Sequence, residues 1–244
     1  MFDPDTGTLA VVGHVPTLSR ADAVLADLQA AVGVHIPVRG DLRLLPEPQC
    51  SALAGVDALG LPQSSEQITN PRVVGPDAFA RTFDFVENDR LRLDLETPDY
   101  EAYLYIDYFD ASGQVIHLAP NDIVPLTRHP PETELRIGDA TGNGPALDIR
   151  IGPPFGQEIA VAFATSAPLD TGGRPLSEPA GPYLDWLRTE IARTRAATPD
   201  FRGEWAYFFV TTAPRNAPRG GVRRIRTCLQ RDRMTVPMPR QVRA

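Results

Sequence analysis

Apolar positions recur with a helical period early in the chain. The stripe consists of residues spaced by three or four: Ala21, Val24, Leu25, Leu28, Ala31 and Val32. This spacing predicts an amphipathic helix, with Ser19 as its N-cap and Gly33 as its C-terminal stop. Short apolar runs on either side predict strands, and a second helix is expected after Pro48. Residues 1–60 are therefore expected to form a small α/β domain of the order β-α-β-α.

The period then changes to two, which is typical of strands with one buried face. Residues 90–96 alternate charged side chains with leucine, whereas residues 101–109 are apolar on both faces, as in a central strand. Residues 110–113 have the composition of a hairpin turn, in which Gly113 can adopt a positive φ. Short strands at this spacing predict an antiparallel Ig-like β-sandwich over residues 83–212.

Three further segments complete the expected organisation. Residues 61–82 are rich in turn formers and show no period, which indicates a linker. A second helical stripe predicts one helix within the sandwich region, over residues 179–197. Residues 213–244 are rich in Arg and Pro and are expected to be an extended basic tail. The fold class predicted from these patterns is α+β.

Composition excludes several functions. All 24 basic residues are arginine, so this chain supplies no lysine for a phosphate-binding loop, a Schiff base or a kinase strand. No apolar run approaches the roughly 18 residues of a spanning helix, so no membrane span is expected. Neither a basic region nor an apolar region follows Met1, and no signal peptide is predicted.

The net charge of −7 conceals an asymmetry. Residues 200–244 carry ten arginines against three acidic residues, whereas the rest of the chain is strongly acidic. One interpretation is an anion-binding or nucleic-acid-binding tail that uses Arg219, Arg223, Arg224 and Arg226. The other is a tail that lies on the acidic body of its own chain or of a neighbour. The tail has no interleaved aromatic residues, which favours the second interpretation and disfavours nucleic acid as a partner.

The chain has two cysteines, Cys50 and Cys228. They are free thiols in a reducing compartment and could form a disulfide in an oxidising one. A catalytic Cys50 is a third possibility, because a thiol at a helix N-terminus has a lowered pKa. No accompanying His–Asn pattern supports that third interpretation.

Histidines are further candidates for chemistry. The four are far apart in sequence, and no metal-binding spacing occurs, so neither a metal nor a cofactor is expected. His117 lies on a predicted strand, close to Asn121 and Asp122. A hydrolase that uses His117 with Asp107 or Asp122 is one hypothesis, because imidazole suits a general base. A structural histidine at the edge of a hairpin is the competing interpretation.

Aromatic residues concentrate on the predicted central strand. Some are expected in the core, since sandwich cores use aromatics heavily, and those left exposed would mark an interaction surface. Together with the polar residues after the hairpin, they give the predicted binding residues: Tyr103, Tyr105, Phe109, His117 and Asn121.

Residues 97–121, TPDYEAYLYIDYFDASGQVIHLAPN, resemble a bacterial family known as domain of unknown function 4384. The resemblance continues through RIGD at residues 136–139 and PPFGQEIAVAFATSAPL at residues 153–169, and covers roughly residues 83–212. VVGHVPTLSRADAVLADLQAAVGV, at residues 11–34, resembles a BON-type α/β domain of the kind found in periplasmic and membrane-associated proteins.

These resemblances imply no catalytic activity. Domains of the first family are similar to C-terminal parts of larger bacterial proteins that also contain kinases, caspase-like proteases or lipoprotein anchors. The expected function is therefore a non-catalytic sensor or scaffold module of a larger envelope or signalling protein. It would bind a protein partner or an envelope ligand, and an extracytoplasmic, periplasmic location is expected.

Overall fold

The computed structural model describes residues 2–65, 67, 82–138 and 148–216. Helices and strands are both well represented in this part of the chain, which confirms the predicted α+β class. The elements are β1 (Phe2–Asp3), β2 (Thr8–Val15), α1 (Leu18–Val32), β3 (Val38–Leu44), α2 (Gln49–Asp57), β4 (Thr82–Val86), β5 (Leu93–Glu96), β6 (Ala102–Phe109), β7 (Gln114–Ala119), β8 (Arg128–His129), β9 (Glu134–Ile137), β10 (Gln157–Thr165), β11 (Ser177–Pro179), α3 (Ala180–Ala197) and β12 (Gly203–Ala213).

The N-terminal elements form a small sheet covered by one helix. β2 and β3 are parallel, β1 pairs antiparallel with β2, and α1 connects β2 to β3. A Cβ atom at Gly40 would lie 2.6 Å from Leu25 Cδ2, so glycine permits the close approach of α1. The N-cap is Thr17 rather than the predicted Ser19, because the helix begins one residue before Ser19 and Thr17 Oγ1 accepts from Arg20 N. Gly33 ends α1 with φ 79°, as predicted.

The second sheet has seven strands in the order β11-β7-β6-β10-β12-β4, with β8 also paired to β6. Its pairings are antiparallel apart from β4 and β12, which run parallel. The sequence predicted antiparallel strands throughout, and the parallel pair is a correction. A period of two is common to both kinds of pairing and cannot distinguish them.

β6 is the central strand and is buried on both faces, as predicted. It passes into β7 through a tight turn at residues 110–113. Asp110 Oδ1 accepts hydrogen bonds from Ser112 N and Gln114 N, and Gly113 has φ 87°. This turn fixes which residues of β6 and β7 face each other.

Helices α2 and α3 cover one face of the seven-stranded sheet. The buried positions of α3 recur at helical spacing: Ala180, Tyr183, Leu184, Leu187, Glu190, Ile191 and Thr194. The apolar residues among them share one hydrophobic core with Val56 of α2 and with Phe109 and Phe163 of the sheet. The helix predicted over 179–197 thus spans Ala180–Ala197.

The opposite face of the large sheet is covered by the two-stranded sheet of β5 and β9. Leu93 and Ile137 pack there against Ile106, Tyr108 and Val210. Two sheets therefore face each other, as in the predicted sandwich, but they are unequal in size. Helices rather than strands cover the other face of the larger sheet.

The predicted division at residue 60 crosses continuous packing. Leu45, Val56 and Leu59 belong to the same core as the large sheet, and Trp205 Nε1 donates to Leu61 O at 3.0 Å. Most of the predicted linker, residues 68–81, and most of the predicted tail, residues 217–244, lie outside the described residues. Within the described residues no helix combines the length and hydropathy that crossing a membrane requires.

Candidate functional site: a buried histidine beside a cavity

Asp107 of β6 and His117 of β7 face each other across the hairpin, at a shift in the strand register. His117 Nδ1 lies 2.7 Å from Asp107 Oδ1. Tyr183 of α3 donates its hydroxyl proton to Asp107 Oδ2 at 2.5 Å. Both oxygens of this carboxylate are thus bound, and all three residues are buried.

The second ring nitrogen of His117 points the other way, toward β11. His117 Nε2 lies 3.1 Å from Glu178 Oε1. Arg174 Nε donates to the same oxygen at 2.5 Å, and Arg174 Nη2 donates to Glu178 Oε2. The guanidinium carbon of Arg174 lies 4.1 Å from the centre of the Trp186 ring. Strands β6, β7 and β11 and helix α3 therefore meet at one imidazole.

The geometry around His117 selects its protonated form. A neutral imidazole carries one N–H and one acceptor nitrogen, whereas both nitrogens here face carboxylate oxygens, which only accept. Both contacts are satisfied together only when both nitrogens carry protons. His117 is therefore held as an imidazolium between Asp107 and Glu178.

The pKa values follow the same pattern. Burial lowers the pKa of His117, but the hydrogen bonds and charges of Asp107 and Glu178 outweigh it and raise the pKa above its ordinary value. For Glu178, burial raises the pKa, and Arg174 and His117 reverse this to a net lowering. Burial and the neighbouring Asp107 raise the pKa of Tyr183 well above its ordinary value, so the phenol stays protonated.

A cavity of about 220 Å³ opens beside this cluster. Tyr105, Asp107, His117 and Tyr183 form its inner wall. The outer wall consists of Ala119 at the end of β7 and of residues from two loops, namely Pro120, Asn121, Asp122, Leu126, Thr171, Gly173 and Arg174. Asp122 is exposed at the mouth and has no side-chain hydrogen bond within the described part of the chain.

Asn121 shapes the loop that forms one side of the cavity. Its Nδ2 donates to the carbonyls of His117 and Leu118, at 2.8 and 3.0 Å. Its Oδ1 accepts from the backbone nitrogens of Ile123 and Val124. The amide is thus engaged with backbone on both sides, and its role here is to position the loop after β7.

The predicted binding residues divide into two groups. Tyr105, His117 and Asn121 line the cavity. Tyr105 accepts a hydrogen bond from Leu169 N at 2.7 Å, and burial raises its pKa to about 12. Phe109 is 1% exposed in the core, and Tyr103 packs partly buried against that core. Neither of these two residues lines this cavity.

Sequence reasoning missed Glu178, Arg174 and Tyr183. Tyr183 was visible as part of the apolar stripe of α3, but its hydroxyl gave no signal of its bond to Asp107. Glu178 reaches His117 because β11 pairs with β7, and Arg174 in turn binds Glu178. That pairing joins segments about sixty residues apart, and no local pattern encodes it.

Other predicted residues lie partly or wholly outside the described range. Arg219, Arg223, Arg224, Arg226 and Cys228 fall in residues 217–244, so neither the anion-binding tail nor the disulfide can be placed. Cys50 lies half-buried on α2, and burial together with the charge of Glu47 raises the pKa of its thiol. A raised pKa opposes the reactive Cys50 considered from the sequence.

No group of three or more His, Cys, Asp or Glu residues in the described segments is arranged to hold a metal ion. The His117 cluster illustrates why, because Asp107 and Glu178 bind opposite sides of the ring. Their oxygens and the ring nitrogens therefore do not converge on one point.

Comparison with known protein families finds a match in the central part of the chain. Residues 84–168 match the family described as a domain of unknown function (DUF4384). This confirms the predicted resemblance over those residues, although the match ends before α3 and β12. No curated protein and no solved structure matched the chain. The comparisons give no support to the BON-like resemblance of the N-terminal residues.

The region that matches this family supplies only part of the candidate site. It includes Asp107, His117 and the loop through Asn121, whereas Arg174, Glu178 and Tyr183 follow it in sequence. The buried imidazolium therefore combines β6 and β7 of the matched region with β11 and α3, which lie beyond it.

Proposed function

We propose that this chain is a non-catalytic binding module, and that the cavity beside His117 receives one side chain of a protein partner. The observation that carries the proposal is a cavity whose size suits a side chain and which exposed apolar residues border. At about 220 Å³, it is smaller than the roughly 300–1,000 Å³ of most small-molecule sites. Interface anchors commonly fill pockets of this kind.

Exposed apolar residues border the lining loops. Ile123 follows Asp122 directly and is 72% exposed, and Leu176 lies two residues after Arg174 and is 58% exposed. Large apolar side chains that are open to solvent next to a polar pocket are typical of a contact surface for another macromolecule. They favour a protein segment over a free small ligand.

Charge favours a basic side chain in the cavity. Asp107 and Glu178 already balance the two cations, His117 and Arg174. Asp122, exposed at the mouth, adds one negative charge that no described side chain neutralises. A partner segment with arginine or lysine between two apolar residues matches this arrangement.

The test uses acetylated, amidated tripeptides Leu-Xaa-Leu, in which Xaa is arginine, lysine, citrulline, glutamate or phenylalanine. Chemical shifts of the protein amides are followed by NMR during titration. The arginine and lysine peptides are expected to shift residues 117–123 and 171–176, and Asp122→Asn is expected to weaken this binding. Asp185→Asn, an exposed acid on α3 that is paired with Arg188, is the matched control. Shifts that are absent for every peptide would overturn the proposal.

The second candidate is a hydrolase, which the 2.7 Å contact between His117 and Asp107 favours. A general base needs a free ring nitrogen near the substrate, and Glu178 occupies His117 Nε2. Asp122 lines the cavity but is not bonded to the imidazole. Turnover of p-nitrophenyl acetate that His117→Ala abolishes would support this candidate, and rates equal in both proteins would remove it.

Anion binding through the arginine tail and an extracytoplasmic location remain proposals. Binding of a DNA duplex that weakens steeply between low and moderate salt would support the first. Salt-independent binding would oppose anion binding by the tail.

Failure to detect free Cys50 and Cys228 thiols in denatured, unreduced protein would support an oxidising compartment. Two titratable thiols would oppose it.

A further inference from the structure

We propose that His117 is a proton-dependent latch that holds the loop of residues 170–176 against the cavity. The inference rests on the proposed function for its biological meaning, but its structural part is independent. The latch consists of the contacts from His117 to Asp107 and to Glu178, together with the ion pair between Arg174 and Glu178. When His117 loses its proton, the Glu178 contact opens and the outer wall of the cavity loosens.

The two contacts of His117 are not equivalent. Asp107 is fixed from a second direction by Tyr183, on the buried side of the sheet. Glu178 belongs to the three-residue strand β11 at the edge of the sheet and is held by Arg174 from the neighbouring loop. A neutral imidazole that keeps its Nδ1 proton on Asp107 presents a lone pair to Glu178, which is repulsive. The edge contact is therefore the one that breaks.

His117 holds this loop directly at Leu176 and also through Glu178 of β11, which follows the loop. The backbone nitrogen of His117 donates to Leu176 O at 2.9 Å, and the ring holds Glu178. Thr171, Gly173 and Arg174 of this loop form part of the cavity wall. Release of Glu178 thus removes a charged hydrogen bond from the segment that shapes the pocket.

Within the described residues, the charged and titratable groups near the ring come from five segments of the chain. Asp107 comes from β6, Glu178 from β11, Tyr183 from α3, Arg174 from the loop before β11 and Asp122 from the loop after β7. The pKa of His117 is raised and that of Glu178 is lowered. The latch is therefore closed below the raised pKa of His117 and opens as the pH rises through it.

The experiment follows side-chain and backbone signals of the full chain by NMR between about pH 6 and about pH 9. We expect His117 to show two ring N–H protons at the lower pH. The amide protection factor of His117, corrected for intrinsic exchange, should fall about tenfold or more on deprotonation, as the loss of a charge-assisted hydrogen bond predicts. Affinity for the Leu-Arg-Leu peptide should fall over the same range.

Glu178→Gln tests the cause, since it keeps the shape and an acceptor oxygen while removing the charge. It is expected to flatten the pH dependence of protection, and the control Asp185→Asn is expected to keep it. An imidazole that titrates at or below its ordinary pKa, or constant protection across the range, would overturn the latch. If the protection of the His117 amide stays constant while the peptide binds, the latch is refuted and the proposed binding function is supported. If the protection changes with pH but no peptide binds, the latch is supported and the proposed function is refuted.

Discussion

Tyr108 donates a hydrogen bond from its phenol to the carboxylate of Glu158, on the face of the large sheet opposite the His117 cavity. Both side chains are buried. Glu158 Oε1 also accepts from Ala111 N at 3.3 Å. A carboxyl group thus lies inside the protein with hydrogen bonds but without a cation bonded to it among the described residues.

This arrangement predicts a specific pH dependence of stability. Burial raises the pKa of Glu158, and its hydrogen bonds only partly counter this. The folded state therefore binds the proton more tightly than the unfolded state, and the contribution of Glu158 to the free energy of unfolding falls as the pH rises toward the raised pKa. Urea unfolding of Glu158→Gln should show a smaller decline over this range than the parent chain. Identical pH profiles of unfolding free energy for Glu158→Gln and the parent chain would contradict this prediction.

Gly138 is predicted to tolerate no side chain. It has φ +83°, and a Cβ atom there would lie 2.0 Å from Leu91 O, a backbone atom that cannot rotate away. Gly138→Ala is expected to destabilise the fold by about 3 kcal/mol or more, since strain and overpacking add. Gly7→Ala is the control, because Gly7 also has a positive φ but no atom within 4 Å. Its expected cost is about 1–2 kcal/mol, and equal midpoints in urea for both variants would refute the steric argument.

Phe109 is predicted to be a core residue rather than a binding residue. It is 1% exposed between the sheet and the helices. Phe109→Ala should lose about 3–5 kcal/mol of unfolding free energy, and the milder Phe109→Leu should fold and leave Leu-Arg-Leu binding unchanged. Calorimetry of unfolding and peptide titration measure the two effects separately. Weaker peptide binding by a fully folded Phe109→Leu would restore the interpretation made from the sequence.

Cys50 is predicted to react slowly with alkylating reagents. Burial and the charge of Glu47 raise the pKa of its thiol, and the thiolate is the reactive form. In a Cys228→Ser chain, iodoacetamide at neutral pH should modify Cys50 more slowly than it modifies N-acetylcysteine. Glu47→Gln should increase the rate. A rate above that of the free thiol would contradict the assignment.

Local patterns in the sequence were sufficient to locate the helices and strands. They were not sufficient to show which strands pair with each other. The hairpin turn at residues 110–113 could place Asp107 near His117, because the two lie at similar distances from the turn. The alternation in residues 101–109 identified the central strand. The contact of Glu178 with His117 depends on β11 pairing with β7 across a long stretch of chain, and such pairings leave no trace in a short window of sequence.

The packing of α2 has a practical consequence for work on isolated fragments. Because Leu45, Val56 and Leu59 complete the core beneath α3, a fragment that begins at residue 61 would leave the inner surfaces of Leu184 and Phe109 facing water. Such a fragment would be prone to aggregation, even though it contains the whole of the matched family region. Expression trials should therefore retain at least the residues from Leu45 onward.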